Sequence, residues 1–228
     1  MFPSVSRNDF NALHGYDTND IARIIKRKAI ASKQGLLRAA KGAGMGDIKI
    51  YMHWSAGTYD QVHKDYHINI KGDGTVYCVQ NKLLDPYDFT EIRNHTYKRN
   101  EGSIGVSLCC CGGDFGNRGL GPYPPTPVQI ETMARVCCLL ADALEIPIDK
   151  NHIMTHGEAG DNEDGIYAHD PYGPKSQHCE RADLEWLNDD QFRKAMRNNG
   201  VLENGNRGGD ILRRKIKYYH DAGFSSHF

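Results

Sequence analysis

The chain lacks any long apolar run. No window of its 228 residues approaches about 18 consecutive apolar residues, the length that a membrane-spanning helix needs. Residues 1–10 also lack the basic stretch followed by an apolar stretch that marks a secretory signal. We therefore expect no membrane insertion and a protein that is cytoplasmic at synthesis.

The chain has almost no net charge. Its 28 lysines and arginines nearly balance 29 aspartates and glutamates, which gives a formal net charge of −1 at pH 7. Such a protein has no long-range field that attracts nucleic acid or a charged surface, so we expect no nucleic-acid partner. One basic cluster near the end is typical of a solvated helix face: Arg213, Arg214, Lys215 and Lys217.

A disulfide framework is also missing. The seven cysteines are an odd number, and five of them lie in adjacent runs, Cys109 to Cys111 and Cys137 with Cys138. This layout fits a reducing compartment better than a disulfide-bonded one. Because consecutive residues of a strand point to opposite faces, Cys109 to Cys111 cannot jointly hold one ion, and we interpret both runs as small buried apolar residues.

Apolar spacing predicts alternating helices and strands. Thr126, followed by Pro127 and by apolar residues at helical spacing, predicts the start of a long helix. Gly72, Asp73 and Gly74 favour the positive φ angles of a tight hairpin turn. The other predicted elements are helices over residues 17–43 and 208–220, and strands over 48–54, 66–71, 75–80, 103–111 and 152–155.

The order of these elements indicates one compact unit. The sequence contains no internal repeat and no linker that would separate a second domain. We therefore expect a single α/β (α+β) domain over residues 1–228, with a core at about 48–187. In this domain a central mixed sheet is flanked by helices, and the N-terminal and C-terminal helices pack on the core.

Short metal-binding motifs are absent. Neither HExxH nor CxxC occurs, and eleven histidines by themselves do not prove a metal. His53 and His156 nevertheless each follow or end a predicted strand, at positions where side chains from separate strands converge. The residues alone leave the pairing of these two histidines open.

Six sequence blocks follow one another between His53 and Leu184: HWSAG, DYHINIKGDGTV, NHTYKRNEGSIGVSL, TPVQIETMARV, IMTHGEA and CERADL. Together they resemble the type 2 N-acetylmuramoyl-L-alanine amidases, which include phage endolysins of the T7-lysozyme type and share their fold with peptidoglycan recognition proteins. The resemblance implies hydrolysis of the bond between N-acetylmuramic acid and L-alanine in bacterial peptidoglycan. We expect a monomer with Zn²⁺ as cofactor, bound at one end of the sheet.

The same resemblance implies three zinc ligands. His53 matches the histidine that ends the first core strand, and His156 matches the histidine of the THxE block. The third ligand of the family is a cysteine or an aspartate, and Cys179 fits the cysteine version. His178 is the alternative if the loop is registered one residue differently. Two imidazoles and a thiolate leave a fourth tetrahedral position for water, as a catalytic zinc requires.

Three further residues are implied in catalysis. Tyr66 matches the family's catalytic tyrosine, whose phenol would stabilise the developing oxyanion. Glu158 would either orient a zinc ligand or accept a proton, and the orientation of a zinc ligand is the favoured role. Many family members carry a lysine two residues before the third ligand, but this chain has Gln177 there. Lys175, two residues further back, is the candidate replacement.

The substrate cleft and the setting follow from the resemblance as well. His95 and Trp54 are the expected substrate-binding residues.

Two rival functions are a binding module of the same fold that does not cut peptidoglycan, and a cysteine peptidase with Cys179 as nucleophile and His156 as base. A phage or prophage endolysin that reaches the wall through a holin is the preferred setting. An antibacterial effector and a wall-recycling enzyme are the alternatives, and host and peptidoglycan type stay open.

Overall fold

A five-stranded mixed sheet with helices packed against it forms the centre of the computed structural model, which describes residues 18–79, 88–113, 119–166, 182–198 and 205–228. The α/β class predicted from the sequence is confirmed. The strands are β1 Lys49–Trp54, β2 Ile68–Ile70, β3 Val76–Cys78, β4 Ser103–Leu108 and β5 Ile153–Thr155. The helices are α1 Thr18–Gly42, α2 Pro127–Leu144, α3 His156–Gly160, α4 Asp189–Arg197 and α5 Gly208–Asp221, followed by a 3-10 helix Phe224–His227.

The order of the strands explains where a site can form. The sheet runs β3-β2-β4-β1-β5, and only the β2–β3 pair is antiparallel. Every residue of β1 and β4 is buried, as expected for parallel strands that are covered on both faces. The carboxyl ends of β1, β4 and β5 therefore lie at one edge of the sheet.

The predicted hairpin is confirmed, although its strands are shorter than expected. Gly74 has a φ of +86°, and the Lys71 amide donates to the Thr75 carbonyl at 2.9 Å. The Asp73 carboxylate accepts from the Thr75 amide at 2.8 Å. Tyr66, predicted within the first strand, lies two residues before β2, outside the antiparallel ladder.

The cap of α2 is also confirmed. Thr126 Oγ1 accepts from the Gln129 amide at 3.2 Å, and Gln129 Oε1 accepts from the Thr126 amide at 3.0 Å. This reciprocal pair satisfies two backbone donors at the start of the helix. Gln129 Nε2 then donates to the carbonyls of Ile70 and Cys109, each at 3.0 Å. The cap thus also fixes the helix against the ends of β2 and β4.

The six cysteines of the described residues are all buried and free, in agreement with the interpretation as small apolar residues. Burial raises the pKa of Cys109 to about 12, which keeps it a thiol at neutral pH. The predicted strand does end early, at Leu108. Cys111 has a φ of +62°, in the left-handed region, which turns the chain out of the extended conformation.

Helix α5 corrects one expectation. It packs on α2, and Arg214 and Lys217 are exposed as predicted. Arg213, expected on the same solvated face, is instead only 9% exposed and forms an ion pair with Glu158. A buried acidic partner that is distant in the sequence explains the difference. Among the described helices, none combines the length and the apolarity needed to cross a membrane.

Candidate metal centre and cleft

Three buried side chains converge at the carboxyl edge of the sheet. His53 lies near the end of β1, His156 follows β5 directly, and Asp183 lies in the segment before α4. Nδ1 of His53 and Nδ1 of His156 are each 3.3 Å from Oδ2 of Asp183. The possible ligand atoms of the three residues all lie within 4.8 Å of one another. This spacing is short enough for one ion to contact all three residues.

The chemistry of this cluster fits a divalent cation. Burial, together with the neighbouring imidazoles of His156 and His95, lowers the pKa of His53 well below its usual value, so the ring is neutral and can act as a ligand. Thr96 Oγ1 lies 3.3 Å from Nε2 of His53. In the tautomer that donates Nε2–H to Thr96, the Nδ1 lone pair faces the Asp183 carboxylate with no proton between them. A cation placed there removes this repulsion.

A cleft of about 560 Å³ opens above the cluster. Its lining contains His156 and Asp183 and three residues that the sequence predicted for the site, Tyr66, His95 and Trp54. The described residues that line it include no lysine and no arginine. The remainder of the lining is Ser55, Ala56, His63, Asp65, Asn94, Tyr97 and Asn100.

Tyr66 lies beside the cluster, as the sequence predicted. Its ring centroid is 5.0 Å from that of His53, and its hydroxyl is 3.5 Å from the Trp54 carbonyl oxygen. The side chain is half-buried, with its ring in the cleft lining. A phenol at this position can contact a molecule that is bound at the cluster.

His95 forms the buried floor next to His53. Its Nδ1 is 2.9 Å from Thr96 Oγ1, and its ring centroid is 5.4 Å from that of His53. A Cβ atom on Gly105 would lie 2.6 Å from the His95 ring, so glycine is required there for the ring to fit. Burial, with His67, His156 and Arg93, lowers the pKa of His95 well below its usual value. His95 is therefore a neutral ring in the cleft lining, and its Nε2 lies 3.3 Å from Ser103 Oγ.

Glu158 is not brought into the cleft lining. Its two carboxylate oxygens each accept a 2.7 Å bond from Arg213, and Oε2 also accepts from the Thr155 amide at 2.9 Å. The side chain is fully buried. Glu158 thus supports the turn that carries His156, and its predicted role as a proton acceptor stays a prediction.

The predicted residues Lys175, His178 and Cys179 lie outside the described residues, so their roles also stay predictions. Asp183, by contrast, was not predicted as a candidate ligand. It belongs to the same CERADL block as Cys179. The aspartate version of the family's third ligand was the signal that could have found it.

A buried ion pair supports one wall of the cleft. Arg99 Nε donates to Asp164 Oδ2 at 2.6 Å, and both side chains are fully buried. Tyr51 donates to the same oxygen at 3.2 Å. Burial by itself raises the pKa of Asp164. The hydrogen bonds from Arg99 and Ile166 outweigh this effect and keep that pKa below its usual value. The pair fixes the segment between Tyr97 and Asn100, which line the cleft.

Three protein ligands at an open cleft are typical of catalytic rather than structural metal sites. A family model described as N-acetylmuramoyl-L-alanine amidase matches residues 40–197, more than half of the chain. The chain therefore belongs to the type 2 N-acetylmuramoyl-L-alanine amidase family, as its sequence blocks predicted. Searches of the curated proteins and of the solved structures found no significant match.

Proposed function

We propose that the protein is a zinc-dependent amidase that hydrolyses the bond between N-acetylmuramic acid and L-alanine in peptidoglycan. The zinc ligands are His53, His156 and Asp183. The observation that carries the proposal is the convergence of two imidazole nitrogens on one carboxylate oxygen at the floor of a cleft, in a chain of the amidase family.

Zinc in a site with three protein ligands supplies Lewis-acid polarisation of a carbonyl and lowers the pKa of water to about 7. The protein's own groups orient the substrate around this site. Tyr66 lines the cleft beside His53 and donates a hydrogen bond to the carbonyl oxygen as that atom gains negative charge. The amides of Asn94 and Asn100 offer uncharged donors and acceptors that suit a peptide and a sugar.

If Asp183 is the third ligand, the basic residue expected near the scissile carbonyl falls at a different position in the sequence. In the family pattern a lysine stands two residues before the third ligand. Counted from Cys179 this position is Gln177, whereas counted from Asp183 it is Arg181. Arg181 lies outside the described residues. We propose from its place in the sequence that it supplies the positive charge near the scissile carbonyl.

Metal analysis tests the ligand set. We expect about one zinc per chain in the wild type, loss of zinc in Asp183→Ala, and retention of zinc in Cys179→Ala and His178→Ala. Zinc that is retained by Asp183→Ala but lost in Cys179→Ala would identify Cys179 as the ligand instead.

Product analysis tests the reaction and separates the rivals. The wild type should release stem peptides with a free L-alanine amino group and leave a new lactyl carboxylate on the glycan. A chelator should abolish this release, and added zinc should restore it. Activity that survives the chelator but is lost with a thiol alkylator would favour a cysteine peptidase. Peptidoglycan binding without any release would favour a binding module.

For the biological setting we propose a phage or prophage endolysin that is made in the cytoplasm and reaches the wall through a holin. Its support is the resemblance of the six sequence blocks to a family that includes endolysins. Induced expression of the chain alone should leave host cells intact, whereas co-expression with a holin should lyse them. Lysis that does not depend on the holin would contradict this route.

A further inference from the structure

Helix α5 follows the segment that the family model matches, which ends at residue 197. Although it lies outside that segment, the start of α5 contacts the two parts of the chain that carry His156 and Asp183. One segment runs from β5 through His156 into α3, and the other contains Asp183. We use the name α5 anchor for four residues at the start of this helix: Arg207, Gly208, Gly209 and Arg213.

Arg213 joins α5 to the segment of His156. Its two terminal nitrogens each donate to a different oxygen of Glu158 at 2.7 Å, and one of them also donates to the Ile153 carbonyl at 3.1 Å. Ile153 lies on β5, before His156 in the sequence, and Glu158 lies on α3, after His156. One guanidinium group therefore holds the chain on both sides of a candidate ligand.

Arg207 joins α5 to the segment of Asp183. Its Nε and one terminal nitrogen donate to the Glu185 carboxylate, each at 2.8 Å, and that terminal nitrogen also donates to Asp161 at 2.9 Å. The Gly208 amide donates to the Glu185 carbonyl at 2.9 Å. Because Glu185 lies two residues after Asp183, these bonds fix the turn that presents the carboxylate.

The two glycines allow the close approach of the helix. A Cβ atom on Gly208 would lie 1.9 Å from the Leu184 carbonyl oxygen, and one on Gly209 would lie 2.5 Å from the Glu158 carboxylate. Any larger residue would displace α5 from one segment or the other. The two segments are themselves joined by a bond of 3.2 Å from the Gly157 amide to the Asp183 carbonyl. The α5 anchor thus closes a continuous network behind His156 and Asp183.

This network suits positioning better than simple stabilisation. Buried ion pairs add little net stability, because the desolvation of both charges offsets their attraction. A metal site, in contrast, requires its ligands to be held within about 0.5 Å of the productive geometry by the groups behind them. Bidentate arginine–carboxylate pairs supply this geometric constraint.

The geometry points to Arg207 and Arg213 as positioning residues of the metal site, which hold the His156 turn and the Asp183 turn at a coordinating separation. This inference depends on the proposed function, because it requires that His53, His156 and Asp183 bind the metal. It makes a helix after the family-matched segment part of the framework of the site.

The test is the zinc affinity of purified variants, measured by competition with a chromogenic chelator. We expect Arg213→Ala and Arg207→Ala to weaken zinc binding by about 10- to 100-fold, as changes behind metal ligands do. Arg213→Lys should recover part of the affinity, because lysine keeps the charge but not the bidentate geometry. Arg214→Ala is the matched control on the same helix and should bind zinc like the wild type.

Two further measurements distinguish positioning from stability. The absorption spectrum of the cobalt-substituted protein should change in Arg213→Ala, since it reports the geometry around the metal, while thermal unfolding of the metal-free variants reports stability alone. Gly209→Ala keeps every charge but displaces Glu158, so it should also weaken zinc binding. It serves as the test if the arginine variants do not fold.

The outcomes separate this inference from the proposed function. Folded variants that bind zinc with wild-type affinity and show an unchanged cobalt spectrum would overturn the positioning role and leave the ligand assignment intact. A wild-type protein that binds no zinc would overturn the ligand assignment and the positioning role together.

Discussion

Met52 and Thr155 are register partners on the parallel strands β1 and β5, and each is followed directly by a candidate metal ligand. The rings of these ligands, His53 and His156, consequently lie with centroids 4.9 Å apart. Their separation is set by the hydrogen-bond register of a buried sheet. Asp183 comes from a segment outside the sheet, so its position depends on contacts with α3 and α5 instead.

Tyr66 provides the sharpest test of catalysis separate from metal binding. We expect Tyr66→Phe to retain zinc and fold normally, since the phenol lies beside the cluster and is not one of the three ligands. Loss of one donor to a developing oxyanion should lower kcat by about 100- to 1,000-fold with little change in KM.

Steady-state kinetics on a soluble muropeptide measure the effect of this substitution. Tyr218→Phe, at a residue that is 69% exposed, is the control and should keep wild-type activity. A Tyr66→Phe enzyme with wild-type kcat would exclude the phenol from the mechanism.

Arg181 and Lys175 make different predictions about the missing family lysine. If Asp183 is the third ligand, Arg181→Ala should reduce kcat/KM by about 10- to 100-fold, since a charged donor to the transition state is lost. Arg181→Lys should keep more of the activity than Arg181→Ala, and Lys175→Ala should stay close to the wild type. The reverse order, with Lys175→Ala the less active enzyme, would support Lys175 as the residue that replaces the family lysine.

Local patterns predicted much of this fold, and the family resemblance predicted two of the three candidate ligands. The cap at Thr126 and the turn at Gly74 depend on neighbours within a few residues, and the structure contains both. His53 and His156 were predicted as ligands because their sequence blocks match those of the family, and their positions at or just beyond strand ends agree with this.

The features that the sequence did not predict depend on contacts between distant parts of the chain. Asp183 is a candidate ligand only because its segment returns to the edge of the sheet. Arg213 was expected in solvent because its buried partner, Glu158, lies in another element. Charge and spacing alone do not reveal such a pairing, since a buried arginine and an exposed one look the same in sequence.

The ion pair between Arg99 and Asp164 predicts a large effect on stability. Arg99→Met leaves the Asp164 carboxylate buried without its cation, which should lower the free energy of unfolding by about 3–5 kcal/mol. Arg99→Met combined with Asp164→Asn should recover part of this loss, because the unpaired charge is removed.

Urea unfolding measures both Arg99 variants. The control is Arg23→Met, which breaks an exposed pair with Asp20 and should cost less than about 1 kcal/mol. Equal effects of Arg99→Met and Arg23→Met would show that burial of the Arg99 pair has no energetic consequence.

His67 gives a prediction for pH. The Gly105 amide donates to its Nδ1 at 3.0 Å, and its Nε2 lies 2.8 Å from the Glu91 carbonyl, so both nitrogens are satisfied in the neutral ring. Burial lowers the pKa of His67 to about 3. In the unfolded chain the ring has an ordinary pKa of about 6.5, and between these values the unfolded state binds more protons.

His67 therefore contributes stability that is present above pH about 6.5 and is lost as the pH falls, with a slope approaching about 1.4 kcal/mol per pH unit. His67→Gln keeps a donor and an acceptor but does not titrate, so its stability should fall less steeply than that of the wild type on acidification. Urea unfolding of both proteins at pH about 7 and about 5 measures the difference. His227→Gln, at an exposed residue, is the control and should follow the wild type. Parallel curves for wild type and His67→Gln would mean that the buried ring accepts a proton without cost.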